Sequence, residues 1–233
     1  MTLPSPCDSV IRTMAGVRPE GSRGRLITLE GVEGAGKSTQ LEGLRAWLAD
    51  RGIAVVTTAE PDGTPLGAGL RRLLGEVDRV GPLAEALLFA ASRAEHVQRV
   101  IRPALAEGQV VLCDRYVDST VAYQGHGRGL GLEVVAQLNS LAAAGVMPDL
   151  TLVFDLDVAE GLRRVRARRG ALAACDPFER LAVEFHERVR KGYWAIRDRE
   201  PDRVVLIDAD RPEAAVAAEV RTVVARRLGL APP

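Results

Sequence analysis

The chain has 233 residues, of which 47% are hydrophobic and 27% are charged, and this composition excludes intrinsically disordered and collagen-like proteins. Its 31 basic and 31 acidic residues give a formal net charge of zero, which argues against a general binder of nucleic acid or of membranes. Only two of the basic residues are lysines, Lys37 and Lys191, so a lysine here is an exception. The length and the lack of a Pro/Gly/Ser-rich linker predict one large domain.

The cysteines and the amino-terminal segment give little sign of secretion. Cys7, Cys113 and Cys175 are too few and too scattered for a disulfide framework or a closed zinc site, which favours a cytoplasmic protein. No apolar run reaches the ~18 residues that a bilayer span needs, and residues 1–24 lack the apolar core of a signal peptide. We therefore predict a disordered extension over residues 1–24 and a single domain over residues 25–229.

From Arg25 onward, short apolar segments alternate with longer amphipathic ones, which is typical of βα units. The short segments are apolar on both faces and predict buried parallel strands over residues 26–30, 54–58, 110–113, 150–156 and 204–207. The longer segments predict helices over residues 37–51, 66–74, 83–106, 132–144, 158–169, 178–199 and 212–228. The pattern predicts a three-layer α/β/α fold with a five-stranded parallel sheet, and ligands should bind at the carboxyl ends of its strands.

The strongest motif is Gly31-Val32-Glu33-Gly34-Ala35-Gly36-Lys37-Ser38-Thr39, which matches G-x-x-x-x-G-K-[ST] between a predicted strand and a predicted helix. We expect its backbone N–H groups and the start of the helix to hold phosphates. Lys37 should contact the β- and γ-phosphates, and the Ser38 hydroxyl should bind Mg²⁺. A glycine-rich turn without a ligand is the alternative. We disfavour it because Lys37 is one of only two lysines.

Two further basic segments fit the same chemistry. Asp114 and Arg115 follow the third predicted strand, where the carboxylate suits Mg²⁺ and the guanidinium suits phosphoryl oxygens; a surface ion pair is the alternative. Residues 161–170 contain a dense run of arginines. These arginines either form a solvated helix face or belong to a short lid, over about residues 163–178, that closes over the transferring phosphate.

Taken together, these motifs resemble the bacterial thymidylate kinases, which are P-loop kinases of nucleoside monophosphates. Four blocks carry the resemblance: residues 27–39, 60–67, 87–93 and 114–125. The last block, Asp114-Arg115-Tyr116-Val117-Asp118-Ser119-Thr120-Val121-Ala122-Tyr123-Gln124-Gly125, is the most specific. The sequence departs from the common pattern at Ala59 and Pro177, where arginine is frequent, and at Asp62, where glycine is usual.

The resemblance implies the residues that bind the nucleoside part of the substrate. Glu33 would contact the deoxyribose 3′-hydroxyl, Phe89 would stack on thymine, and Arg93 would bond the O4 edge of the base. Ser119 and Gln124 would contact the base or groups near it. Its neighbours alone would make Phe89 a core residue, but the chain has only nine aromatic residues, so one on a base face is informative. Stacking on a base is typically worth roughly 1 to 3 kcal/mol.

Three more roles follow from the resemblance. Arg71 and Arg115 would hold the substrate 5′-phosphate, Tyr123 would pack against the 2′ position, and Pro61 would shape the floor of the pocket. The phosphate loop has no arginine of its own, so a lid arginine would complete the catalytic set. The implied catalytic residues are Lys37, Arg115, Arg166, Arg168 and Arg169.

The resemblance implies transfer of the ATP γ-phosphoryl group to dTMP with Mg²⁺, giving dTDP and ADP, by a homodimer. A P-loop kinase for another nucleoside monophosphate stays open as the alternative. A GTPase-type switch is disfavoured: residues 78–81 match D-x-x-G away from a strand end, and the only asparagine, Asn139, precedes Ser140, which excludes N-K-x-D. The histidines, at positions 96, 126 and 186, lack metal-ligand spacing, so we expect no metal there.

Overall fold

The computed structural model describes residues 23–77, 80–169 and 181–231. Its centre is a five-stranded, all-parallel sheet in the order β2-β3-β1-β4-β5. The strands are β1 Arg25–Gly31, β2 Val55–Ala59, β3 Val110–Asp114, β4 Leu150–Asp155 and β5 Val204–Asp208. All five predicted strands are therefore confirmed, with ends that differ by one residue at most.

Helices cover both faces of the sheet, which confirms the three-layer α/β/α prediction. Ile27 and Leu29 of β1 belong to one core cluster, whereas Leu26 belongs to a second one on the other face. Side chains alternate across a strand, so a strand that is apolar at successive positions needs a helical layer on each side. The helices are α1 Lys37–Ala49, α2 Pro65–Glu76, α3 Pro82–His96, α4 Arg102–Ala106, α5 Val117–Thr120, α6 Leu132–Ala143, α7 Val158–Arg169, α8 Val183–Arg199 and α9 Glu213–Leu228.

Two π-helical segments modify the predicted pattern. The helix predicted over residues 83–106 is continuous, but Val97–Ile101 forms a π-helical turn between α3 and α4. A second π-helical segment, Val121–Gly127, continues α5, and the sequence patterns did not predict any helix there. Glycine has a low helix propensity, so the sequence gives no local sign of this helix. The glycines are nevertheless needed for packing, because a Cβ at Gly127 would lie 2.7 Å from the ring of Phe185 on α8.

Some predictions lie outside the described residues. These are the extension over residues 1–24 apart from its last two residues, the lid from 170 to 178 with Pro177, and the first two residues of the D-x-x-G segment. The single domain over residues 25–229 stays a prediction. In the described part of the chain, no helix is long and apolar enough to cross a membrane.

Backbone contacts bring three loops together at the carboxyl edge of the sheet. The loop after β1 is the phosphate loop, the loop after β2 contains Pro61, and the turn after β3 contains Arg115. The Arg115 amide donates to Leu29 O at 3.0 Å, and the Glu60 amide donates to Asp114 O at 3.0 Å. The sheet order β2-β3-β1 therefore places the three predicted motifs side by side.

Replacing Leu152 tests whether β4 is buried in the centre of the fold. This side chain of β4 is 0% exposed, so Leu152→Ala should lower the free energy of unfolding by about 2 to 5 kcal/mol through lost burial and an unfilled cavity. Urea unfolding followed by circular dichroism measures the change. The control Leu73→Ala, at a side chain that is 47% exposed, should cost less than about 1 kcal/mol. Equal losses in the two variants would contradict the fold.

Candidate active site

The phosphate loop is a backbone cradle closed by a lysine. Gly31, Gly34 and Gly36 have φ values of 134°, 76° and 86°, which glycine adopts without strain. Helix α1 begins immediately afterwards, at Lys37. The Lys37 side chain is 8% exposed and donates from Nζ to Gly31 O at 3.1 Å and Val32 O at 2.9 Å. The ammonium is therefore folded back across the loop that a phosphate would enter.

The protonated form of Lys37 is less favourable in the folded protein than in water, because its side chain is buried. The pKa of its ammonium is lowered to about 8, mainly by burial and also by the charge of Arg115, while Asp114 and Glu33 act in the opposite direction. A phosphate next to Nζ would add negative charge and stabilise the protonated form.

Ser38 and Asp114 offer oxygen ligands beside this loop. The Ser38 hydroxyl donates to Asp114 Oδ2 at 3.2 Å, and Asp114 Oδ1 is buried without a hydrogen-bond partner among the described residues. A hydroxyl and a carboxylate oxygen suit Mg²⁺, which normally takes few protein ligands and completes its shell with phosphates and water. The described residues contain no cluster of three or more His, Cys, Asp or Glu that could hold a metal ion.

Glu30, at the end of β1, holds the turn that carries Arg115. Its Oε1 accepts from the Tyr116 amide at 2.7 Å, and its Oε2 accepts from Ser119 Oγ at 2.6 Å and from Tyr193 Oη at 2.8 Å. Arg115 itself has φ 68°, a left-handed conformation that is unfavourable for a residue with a side chain. The carboxylate therefore fixes the residues on both sides of a strained backbone position, and Glu30 is a positioning residue for Arg115.

Glu33 of the phosphate loop joins this loop to the Arg115 turn and to α8. Its Oε1 accepts from Tyr123 Oη at 2.6 Å and from Arg115 Nη2 at 3.1 Å. Its Oε2 lies 3.2 Å from Nδ1 of the buried His186, although the two are not aligned for a hydrogen bond. Burial alone would raise the pKa of Glu33, but His186, Arg115 and Lys37 together lower it to about 2. Glu33 is therefore ionised at neutral pH and already has protein partners.

Arg93, which was predicted to bond the edge of the base, is buried and has several protein partners. Arg93 is 2% exposed and pairs with Glu60, with Arg93 Nε 2.9 Å from Glu60 Oε2. Its remaining donors reach Thr120 Oγ1 at 2.9 Å, Asn139 Oδ1 at 2.7 Å and Tyr116 O at 2.9 Å. A base edge would have to replace one of these partners, so the contact of Arg93 with the base stays a prediction.

Gln124 and Arg71, two further predicted substrate residues, also have protein partners. Gln124 Nε2 donates to Glu85 Oε1 at 3.0 Å, and Arg71 Nε donates to Asp62 Oδ2 at 2.6 Å. The Glu60–Pro61 peptide bond is cis. Phe89 of α3 is partly buried.

Helix α7 lies directly against the phosphate loop. A Cβ at Gly34 would come 2.1 Å from Gly161 O, so the two backbones touch. Arg163 and Arg164 pair with Glu160. The side chains predicted to be catalytic, Arg166 and Arg168, are exposed and have no hydrogen bond or ion pair with another described residue, whereas the side chain of Arg169 lies outside the described part.

Sequence reasoning missed several polar residues of the site. Glu30 was assigned only to a strand, and for the histidines the spacing indicated only that they bind no metal. His96 is 0% exposed and lies one turn after Arg93, and the two hold opposite oxygens of Glu60, with His96 Nδ1 3.1 Å from Oε1. The i, i+3 spacing of Arg93 and His96 was a usable signal. No local pattern pointed to His186, because its contact with Glu33 joins residues far apart in sequence.

A phosphate loop after the central strand of this sheet, next to a basic turn at the neighbouring strand end, is characteristic of P-loop kinases. The model of the thymidylate kinase family matches residues 29–220. The chain therefore belongs to the thymidylate kinase family.

Individual relatives agree with this assignment. Thymidylate kinase from Synechococcus sp. strain JA-2-3B'a(2-13) is 53% identical over 205 residues, which cover 88% of this chain and 96% of the relative. Thymidylate kinase from Deinococcus radiodurans is 48% identical over 207 residues, covering 88% and 98%. The crystal structure of thymidylate kinase from Ehrlichia chaffeensis superposes with a TM-score of 0.71 at 35% identity and covers 87% of this chain and 99% of that one.

The buried carboxyl of Glu30 gives a pH test of the site. Burial and the charge of Asp118 raise its pKa from 4.5 to about 7, despite hydrogen bonds from Ser119 and Tyr193. Between about pH 4.5 and about pH 7, Glu30 therefore keeps a proton in the folded protein that it releases in the unfolded chain. The stability that this proton gives is fully present below the unfolded pKa of 4.5 and is lost as the pH rises through about 7.

Glu30→Gln is neutral at every pH and removes this dependence. Between about pH 5 and about pH 8, the difference in unfolding free energy should shift in favour of the variant by roughly 2 kcal/mol, since one pKa unit corresponds to about 1.4 kcal/mol. Urea unfolding at both pH values measures it. A difference that does not change with pH would show that Glu30 is ionised over the whole range.

Proposed function

We propose that the protein transfers the γ-phosphoryl group of ATP to the 5′-phosphate of dTMP, giving dTDP and ADP. The observation that carries the proposal is the arrangement at the carboxyl edge of the sheet. There Lys37 closes the phosphate loop, Arg115 contacts the loop through Glu33, and Ser38 meets Asp114. The names of the family and of its relatives support the choice of substrate.

Catalysis in this proposal consists of alignment and charge neutralisation. The attacking group is an anionic phosphate oxygen, so no general base is needed. Lys37 and the backbone amides of residues 31–39 orient the donor phosphates, and Arg115 faces the acceptor. Exposed arginines of α7, Arg166 and Arg168, together with Arg169, supply positive charge where negative charge develops, and closing the lid over about residues 163–178 excludes water.

We further propose that Ser38 and Asp114 hold Mg²⁺ with the triphosphate. Asp114 Oδ1, which is buried and has no hydrogen-bond partner in the described part of the chain, and the adjacent Ser38 hydroxyl support this assignment. When bound, Mg²⁺ neutralises charge on the β- and γ-phosphate oxygens. The two side chains contribute by presenting oxygen atoms at the end of β3 and the start of α1, next to the phosphate loop.

The acceptor site that we propose lies between the phosphate loop, the Pro61 loop and the segment from Arg115 to Gln124. Because Glu33, Arg71, Arg93 and Gln124 already have protein partners, substrate binding exchanges some of these contacts for contacts with dTMP. The proposed substrate residues are Glu33, Pro61, Arg71, Phe89, Arg93, Arg115, Ser119, Tyr123 and Gln124.

We also propose that the protein works as a homodimer through α3 and α6, in the cytoplasm. Leu83 and Leu87 are each 49% exposed and lie one turn apart on α3. On α6, which packs against α3, Val134 is 38% exposed and Leu141 is 79% exposed. Exposed apolar stripes on adjacent helices support burial against a second copy of the chain.

Lys37→Ala tests the phosphate loop. The variant should lose turnover to the background of a coupled assay of ADP release because the donor phosphates lose their closest cation, while circular dichroism shows an intact fold. Lys191→Ala is the matched control, since it removes the only other lysine, which is exposed on α8, and it should keep wild-type turnover. A Lys37→Ala protein with near wild-type turnover would overturn the assignment.

The same assay over dTMP, dUMP, CMP and GMP tests the acceptor. The proposal predicts the highest kcat/KM with dTMP. Strong turnover of CMP or GMP without dTMP would favour a kinase for another nucleoside monophosphate.

The dimer is tested by size-exclusion chromatography with light scattering. The wild-type protein should have twice the mass of the chain, and Leu87→Glu should give monomers because it places a charge in the apolar stripe. Val183→Glu, at an exposed apolar position on α8, serves as the control and should stay dimeric. A monomeric wild-type protein would refute the proposed dimer and would leave the proposed reaction unaffected.

A further inference from the structure

Asp62 and Arg71 form an ion pair at the loop that follows β2. Arg71 Nε lies 2.6 Å from Asp62 Oδ2. Asp62 directly follows Pro61, and Arg71 lies one helical turn after Gly67 on α2. A Cβ at Gly67 would come 1.6 Å from Pro61 O, so this face of α2 is pressed against the loop. Arg71 therefore lies on the helix face that packs against the loop of Asp62.

This loop belongs to the edge of the sheet where the active-site motifs meet. It begins at Glu60, whose amide donates to Asp114 O at the end of β3. Asp114 is the residue that meets Ser38 of α1. The Asp62–Arg71 pair is thus attached to the same strand ends as the phosphate loop and the Arg115 turn.

Among three arginine–carboxylate pairs at this edge, Asp62–Arg71 is the most accessible. The Arg71 and Asp62 side chains are 44% and 37% exposed. For Arg93 and Glu60 the values are 3% and 7%, and for Arg115 and Glu33 they are 23% and 11%. Separating a buried pair leaves an unpaired buried charge, whereas an exposed pair separates at little cost. An incoming anion can therefore displace Asp62 far more easily than Glu60.

We infer that Asp62 is an internal competitor of the substrate phosphate: its carboxylate occupies Arg71 in the free protein and is displaced when the 5′-phosphate of the nucleoside monophosphate binds. The inference rests on the proposed function, which assigns that phosphate to Arg71. Asp62 then weakens substrate binding in two ways. It must give up its contact with Arg71, and its negative charge stays near a phosphate dianion.

The expected kinetic signature is a change in KM without a change in kcat. Asp62 is displaced on substrate binding, so its effect is equal in the bound ground state and in the transition state. Removing its charge should therefore lower KM for dTMP and leave kcat within about twofold. A purely structural defect would lower kcat as well.

The test compares Asp62→Asn, which keeps the shape and removes the charge, with the wild-type protein in steady-state kinetics with dTMP. KM should fall about 2- to 5-fold, which corresponds to about 0.4 to 1 kcal/mol, the range typical of exposed ion pairs. Glu42→Gln is the control, since it removes an exposed carboxylate that pairs with another arginine, Arg45 on α1, and it should leave KM unchanged. An unchanged KM in Asp62→Asn would overturn the inference, and a raised KM would show instead that Asp62 positions Arg71 for the phosphate.

The same substitution in an Arg71→Ala background tests whether Asp62 acts through Arg71. Arg71→Ala alone should raise KM for dTMP, and adding Asp62→Asn should then lower KM by less than half as much as in the wild-type background. An undiminished effect would overturn the competition for Arg71. A wild-type protein that does not phosphorylate dTMP would instead refute the proposed function, so the two failures are distinguishable.

Discussion

The buried carboxylate of Glu30 is the interaction on which the arrangement of the site depends most. It accepts hydrogen bonds from the Tyr116 amide, Ser119 and Tyr193, and thereby ties the end of β1 to the turn after β3 and to α8. Together with the hydrogen bond from the Arg115 amide to Leu29 O, these contacts hold the left-handed backbone of Arg115 against its own preference. The position of Arg115 beside the phosphate loop is therefore set by Glu30, a residue that need not touch the substrate.

The charges of the site are largely balanced inside the protein. Arg93 pairs with Glu60, Arg115 with Glu33 and Arg71 with Asp62, so the formal net charge of zero is also approached locally. Such pairing limits repulsion among the cations of an otherwise highly basic cleft. It also means that binding of a phosphate is an exchange of partners. The strength of binding then depends on how readily each carboxylate yields its arginine, which burial controls.

The sequence predicted the strands and the phosphate loop well because their signals are local. Alternation of apolar segments marks each strand, and the spacing of Gly31, Gly36 and Lys37 marks the loop. The pairing of side chains was not predictable, because contacts such as Glu33 with His186 depend on how α8 packs. The helix from Val117 to Gly127 was missed for a related reason: its glycines make close packing possible but read locally as loop residues.

The most direct test of this account is a double-mutant cycle on kcat with dTMP, using Glu30→Gln, Arg115→Ala and the double variant. If Glu30 acts by placing Arg115, the two losses are not independent, and the double variant should be no slower than Arg115→Ala alone. Losses that multiply in the double variant would contradict the account, since Glu30 would then support turnover by a route other than Arg115.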